Sequence, residues 1–422
     1  MSVVHLENLK ENMTLSEEVK DVKGRLLLSK GQKVEASHIR ILKMWGVTEV
    51  NIVGEVSGND NYESSIDSEL IERIKKDTKQ RFKFVDLKHP AISELFRLAV
   101  YFRSKNGISE KEILTAHSET SKLTAPVKPD VMKKILHKQL KLPEVPYLVF
   151  ELKDIMSNPR SSANDIAQIV SKSPSLTMIL LRIVNSSFYA FPSKIDSISR
   201  AVTIIGTREI GNLSLGISII NIFDGIPEDL IDMHAFLKHG FACGIISRIL
   251  AAQKDIPQTE QLFVSGLLHD IGRAVIYKYF PEHASVLLHS SSTSGKFLYT
   301  EEKKYLGCRH TDLGKYLLKK WNLPFSLENN VFCHHNPSNA KDPVHATIVH
   351  LADVMANALE LGSSGERFVP PLDYNAFMNI GLPPSCFEVV IRQAIDQLSA
   401  FDNFLENKNT FVEESKSNDS DY

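Results

Sequence analysis

Residues 262–273 read LFVSGLLHDIGR, an apolar run that ends in the adjacent pair His269-Asp270, with Gly272 and Arg273 directly behind it. The run predicts a buried helix with an imidazole and a carboxylate at its end. A helix end inside a bundle can aim both groups into one cavity. The same pairing of apolar, helix-like context with a metal-binding side chain recurs on both sides of it. His239 comes before; His310, the pair His334-His335 and Asp353 come after. Five imidazoles and two carboxylates form a nitrogen and oxygen donor set suited to Fe, Mn or a similar divalent ion. The chain has 15 histidines, so no one of them carries weight alone. Their order and contexts do.

The metal-ligand candidates are His239, His269, Asp270, His310, His334, His335 and Asp353. Asp270 can bridge two ions while the flanking histidines complete each one. Two divalent ions bring four positive charges, of which Asp270 and Asp353 offset two. The excess attracts a phosphate and lowers the pKa of a bound water toward neutrality. Arg273, one helical turn beyond His269, either presents its guanidinium fork to a phosphate oxygen or forms a salt bridge. Asp270 and Arg273 are therefore the catalytic candidates. His234, five residues before His239 on the same predicted helix, is an alternative ligand. Asp312 is a candidate for orienting the His310 ring. His345 and His350 read as surface or core histidines.

Working outward, residues 1–60 read as a small α/β module. Gly24 to Leu28 suggests a strand entering the turn at Gly31. Ile41, Leu42 and Trp45 share one face of a short helix that Gly46 ends. Val47 to Val53 alternates as a strand, and Gly54 to Ser65 reads as a linker. Residues 61–129 form a helical connecting region. Its basic cluster (Arg73, Lys75, Lys76, Lys79, Arg81 and Lys83) is interspersed with acids and reads as a solvated helix face. Residues 130–405 are helix after helix. Leu176, Ile179, Leu180, Ile183 and Val184 make an amphipathic stripe. Ile166, Ile169 and Val170 precede it across the Ser173-Pro174 break, and Ile198, Val202 and Ile205 lead to Gly206. Residues 406–422 are polar and acid-rich, as disordered tails are. The fold class expected is mainly α, an all-helical domain behind a small α/β module.

The 422 residues are 43% hydrophobic and 24% charged, ordinary for a globular protein, and the net charge of -2 offers no footprint for a nucleic acid. No apolar run is read as reaching the roughly 18–20 residues that span a bilayer. The opening MSVVHLENLKENMTL lacks the profile of a secretory signal, so a cytoplasmic location and no membrane partner are expected. Cys243, Cys308, Cys333 and Cys386 form no CxxC, which argues against a disulfide framework or a structural zinc site. Cys308 and Cys333 lie beside predicted ligands and read as small buried apolar residues. With no GxSxG elbow, no GxxxxGK[ST] and no GxGxxG, a serine nucleophile at Ser186 or Ser187, an NTPase and a dinucleotide fold all lack support.

The order H…HD…H…HH…D resembles the HD superfamily of metal-dependent phosphohydrolases. The blocks around it are more specific. KLPEVPYLVFELKDIM, SPSLTMILLRIVNSSFYAFPSKIDSISRAVTIIG, LFVSGLLHDIGR, RHTDLGKYLLKKWNLP and FCHHNP resemble the HDOD family of bacterial signalling proteins. The likeness runs from about residue 135 to residue 360, and the N-terminal unit looks like a small module found ahead of HD-type regulatory domains.

That resemblance implies a regulatory output domain acting on a signalling protein partner. Many members of the family have lost the metal ligands; this chain resembles those that keep them. Its seven candidates match the metal positions of the related HD-GYP phosphodiesterases, which hydrolyse cyclic di-GMP. The likeness therefore also implies a second possibility, a phosphohydrolase acting on a nucleotide or cyclic dinucleotide. Two departures weigh against cyclic di-GMP turnover. NPSNAKDPVHATIVHLAD follows His334-His335 with no GYP, and Ala235 stands where some relatives place a third-metal glutamate. Two ions at most are expected. A third possibility is an interaction module with a vestigial site.

Overall fold

The computed structural model describes residues 2–399 except 6–8, 21–25, 45, 46, 48, 54–67, 107–130, 133–141, 143, 145, 146, 159, 187, 188, 190, 192, 221, 222, 224 and 258. Several expectations therefore lie outside the described residues: Gly24 and Arg25, the helix end at Trp45 and Gly46, the 54–65 linker, the domain start at Asp130, Ser187 and the 406–422 tail.

The N-terminal module contains β1 (Ser2–His5), β2 (Val19–Lys20), β3 (Leu26–Leu28), α1 (Ala36–Met44) and β4 (Glu49–Ile52). β1 and β4 pair antiparallel with Val4 opposite Val50, and β2 pairs with β3 in a second two-stranded ladder. Alternation along β4 buries Val50 and Ile52, and Val53 just past its end is exposed, the period-2 pattern of a strand with one covered face. Val4, Leu15, Val34 and Leu42 join them in a small core of their own.

Two helices follow, α2 (Ser68–Arg81) and α3 (Pro90–Asn106). Phe82, Ile92, Leu95 and Leu98 belong to the same buried cluster as the helical bundle. Arg81 departs from the solvated face expected of the basic cluster. Its Nε lies 3.0 Å from Glu360, and its Nη2 donates to the Asn357 carbonyl at 3.2 Å.

The bundle continues with α4 (Tyr147–Ser157), α5 (Ala163–Ser171), α6 (Pro174–Val184), α7 (Ile198–Ile205) and α8 (Thr207–Ile220). Ser162 and Asp165 close a reciprocal capping box on α5, and Ser173 caps α6 with Pro174 in its first turn. The predicted stripe on α6 is buried throughout.

The site-forming half consists of α9 (Met233–Gln253), α10 (Thr259–Leu268), α11 (Ile271–Tyr279), α12 (Pro281–Ser294), α13 (Leu298–Leu306), α14 (His310–Lys320), α15 (Phe325–Cys333), α16 (Pro343–Ala358) and α17 (Tyr374–Ile380). The domain is all-helical, and among the described residues the strands are confined to the N-terminal module. Contrary to the sequence expectation, one helix, α9, is long and apolar enough to cross a membrane, but 78% of its apolar window is buried in the bundle. Its apolarity is accounted for by packing against α10 and α16.

Two close helix crossings set the geometry of the centre. A Cβ on Gly266 of α10 would lie 2.5 Å from the Cys243 carbonyl oxygen of α9. A Cβ on Gly272 of α11 would collide with the His310 carbonyl at the start of α14. Glycine permits both pairs of backbones to touch, which brings the end of α10 against α9 and the start of α14 against α11.

Candidate metal centre

The seven predicted ligands come from five parts of the bundle. His239 sits on α9 and Asp353 on α16, two helices that pack against each other. His269 follows the last residue of α10, and Asp270 occupies the N-cap of α11. His310 opens α14; His334 caps the C-terminus of α15 and His335 follows it. His239, His269, Asp270, His310, His334 and Asp353 are all buried, and His335 is partly so.

Their ligand atoms converge. His239 Nε2 is 3.2 Å and His269 Nε2 is 3.5 Å from Asp353 Oδ1. Asp270 spans the middle: Oδ2 lies 3.3 Å from His269 Nε2, and Oδ1 lies 3.1 Å from His310 Nε2 and 3.9 Å from His334 Nε2. Donor atoms of His310, His334 and His335 fall within 4.8 Å of one another. The two oxygens of Asp270 thus approach residues of both donor groups.

Hydrogen bonds behind the rings fix which nitrogens face inward. His269 Nδ1 is 2.7 Å from the Gly266 carbonyl, and His334 Nδ1 is 2.8 Å from that of Val331. His310 Nδ1 meets Glu302 at 2.7 Å. A carbonyl or carboxylate can only accept, so each Nδ1 carries the proton and each neutral ring turns an Nε2 lone pair into the site. Lone pairs and carboxylate oxygens therefore point at one another. His269 Nε2, Asp270 Oδ1 and His335 Nε2 are buried yet make no hydrogen bond. Acceptors crowded together in a dry interior need a positive centre between them. The residues fit divalent metal binding.

The electrostatics agree. Burial alone would raise both carboxyls, but Arg273, His269 and His310 hold Asp270 well below the usual range, and His239 and His269 do the same for Asp353. Burial would lower His269, yet Asp270 and Asp353 outweigh it and raise its pKa to about 10: the two carboxylates call for positive charge at this spot, which a proton on Nε2 supplies and a bound metal ion would replace. Burial and the neighbouring imidazoles push His334 and His335 well down, which keeps them neutral as ligands must be.

Arg273 is buried, with two of its three guanidinium nitrogens committed to protein groups. Nη1 donates to Asp270 Oδ2 at 2.8 Å and to Ser364 at 2.6 Å, and Nε donates to Glu302 at 3.2 Å. The salt bridge foreseen for it is formed, and its Nη2 makes no hydrogen bond. His234 stands outside the cluster that contains His239. Asp312 accepts from the Arg309 backbone at 2.9 Å instead of orienting His310; Glu302 takes that role. His345 pairs with Asp342 at 3.1 Å. His350 is a core histidine that donates to the His334 carbonyl at 2.7 Å and accepts from the Asp373 backbone at 2.9 Å. Asn185 clamps Ile195 through both backbone groups, a packing role.

Three residues of the centre escape a reading of the sequence. Glu302 orients His310, Asn357 donates to Asp353 Oδ1 at 2.7 Å, and Cys243 Sγ lies 3.6 Å from His239 Nε2. The only available signals are the i, i+4 spacings of His239 with Cys243 and of Asp353 with Asn357. Glu302 gives none.

Residues 142–337 match the HDOD domain family model. Just under half of the chain, the segment from 142 to 337, is thus similar to the HDOD domain family. Asp353 lies beyond the matched interval, so its membership of the centre rests on geometry. Among solved structures, an HDOD domain protein of unknown function from Geobacter sulfurreducens has 20% identity and a TM-score of 0.51, covering 67% of this chain and 93% of that one. A candidate phosphohydrolase from Shewanella amazonensis SB2B has 19% identity and a TM-score of 0.50, covering 65% of this chain and 98% of that one. At these identities the likeness concerns the fold. An uncharacterized protein of Treponema pallidum (strain Nichols) is 24% identical over 203 residues, 48% of this chain and 39% of that relative's length.

Proposed function

We propose that this protein is a signalling output protein of the HDOD type, acting in the cytoplasm on a protein partner, whose helical domain holds a dinuclear centre of Fe or Mn. His239, His269 and Asp353 would hold one ion; His310, His334 and His335 the other; Asp270 would bridge them. The observation that carries the reading is the set of Nδ1-locked rings whose free nitrogens converge on Asp270. When bound, such ions supply Lewis acidity and fix the helix ends that carry their ligands. The rest of the design is rigid: Glu302 and the carbonyls of Gly266 and Val331 hold the rings, and Arg273 holds Asp270 and Glu302 together.

A second reading, a metal-dependent phosphohydrolase acting on a nucleotide or cyclic dinucleotide, is favoured by the bridging position of Asp270. Two features argue for the regulatory reading. Two nitrogens of the Arg273 guanidinium are occupied by protein groups. The pocket beside His239 and Asp270 is walled by Phe223, Met233, Phe236, Leu267, Ile271 and Ala274, a lining that among the described residues has no Lys or Arg for a polyanion. The test is to load the protein with Fe or Mn and assay hydrolysis of cyclic dinucleotides and nucleoside monophosphates. Retained metal without turnover supports a regulatory centre; turnover that disappears in Asp270→Ala replaces it with an enzyme.

A further inference from the structure

We infer that Cys243 is a further protein ligand, a thiolate, beside His239, His269, Asp353 and the bridging Asp270, so that the two halves of the centre differ in chemistry. The inference rests on the metal-binding reading above and extends it to a residue outside the seven. Cys243 follows His239 by one helical turn on α9, so both side chains leave the same face of the helix. Its Sγ lies 3.6 Å from His239 Nε2, and the ligand atoms of His239, Cys243, His269 and Asp353 all fall within 4.8 Å of one another. All four residues are buried, and His269 Nε2, at the same spot, makes no hydrogen bond.

Bond lengths settle whether sulfur fits. Metal–nitrogen bonds of ~2.0 Å and a metal–sulfur bond of ~2.3 Å meeting at near-tetrahedral angles set neighbouring donors ~3.3–3.6 Å apart. The observed spacings of 3.2 Å from His239 to Asp353, 3.5 Å from His269 to Asp353 and 3.6 Å from Cys243 to His239 are edges of that size. On binding, the thiol gives its proton to solvent and sulfur donates to the ion. Apart from the shared Asp270, this half offers two nitrogens, one oxygen and one sulfur, a softer set than the three imidazoles of His310, His334 and His335. The sulfur-bearing half selects thiophilic ions such as Fe(II), Co(II) or Zn(II); the other half does not share that preference.

The experiment is Co(II) titration of the metal-free full chain, read by absorption. Wild type is expected to show visible ligand-field bands together with a near-ultraviolet sulfur-to-cobalt band, and Cys243→Ser to lose only the latter. Ligand-field bands with no near-ultraviolet band, or a near-ultraviolet band that survives in Cys243→Ser, overturn the thiolate while leaving the centre intact. Failure of wild type to take up cobalt overturns both. Should the serine variant not fold, X-ray absorption on cobalt-loaded wild type decides alone: a sulfur scatterer at ~2.3 Å is expected, and a shell of nitrogen and oxygen only refutes it.

Discussion

His310 and His334 face each other through Nε2 atoms 3.3 Å apart, and in the neutral rings both nitrogens are lone pairs, because Glu302 and the Val331 carbonyl hold the protons on Nδ1. Two lone pairs at that distance repel. The arrangement is stable when a cation sits against both, with Asp270 Oδ1 completing its surroundings 3.1 Å from His310.

Because Asp270 reaches both groups, Asp270→Asn should lower the content of both ions, and not of one alone. The amide keeps the size of the side chain but loses the charge that bridges. Elemental analysis of purified wild type and variant checks this; loss of a single equivalent would show that Asp270 serves only one side.

Glu302→Gln should act on one side. Glu302 fixes the His310 tautomer and accepts from its backbone at 2.9 Å. Substitution of such an orienting partner costs about 10–100-fold in metal affinity. Competition titration should show one ion weakened by that factor and the ion held by His239, His269 and Asp353 nearly unchanged.

Gly272→Ala tests the crossing that delivers His310. The added methyl meets the His310 carbonyl, so α11 and α14 must separate. Overpacking of this kind costs roughly 1–3 kcal/mol. Denaturant unfolding of the metal-free protein should show that loss, accompanied by weaker metal uptake.

The fold also carries a pH term away from the ligands. Burial raises Glu366 from its ordinary 4.5 to about 7, despite Arg273 and three backbone N–H donors. Below pH 4.5 the folded and unfolded states are both protonated and no penalty arises. As pH rises toward 7 the unfolded state ionises first, so stability falls, and above 7 the loss is complete. At 1.36 kcal/mol per pKa unit the loss is about 3 kcal/mol. The stability of wild type relative to Glu366→Gln, measured by denaturant unfolding at pH 5 and pH 8, should decrease by an amount of that order.

Much of the fold and of the centre is legible in the sequence because the informative residues stand out chemically. An imidazole or carboxylate inside an apolar helical segment, as at His239, His269 or Asp353, is anomalous by its immediate neighbours alone. The helices are legible through their stripes, as α6 shows. β1 is not, because four residues acquire strand character only on pairing with β4, some fifty residues away. Glu302 is hidden because nothing in its own neighbourhood separates it from the solvated Lys303 and Lys304. Its role is created by the packing of α13 beside the start of α14. Arg273 stays open between two roles in the sequence because its partners, Glu302 and Ser364, are remote in the chain.

The most direct test of the central claim is the metal content of protein purified without added chelator and desalted by gel filtration. Elemental analysis is expected to find about two equivalents of Fe, Mn or a similar divalent ion per chain, with chelation lowering the melting temperature as expected for a ligand that binds the native state. A chain that carries no metal, takes none up from Fe(II), Mn(II) or Co(II), and melts at the same temperature with and without chelator would contradict it.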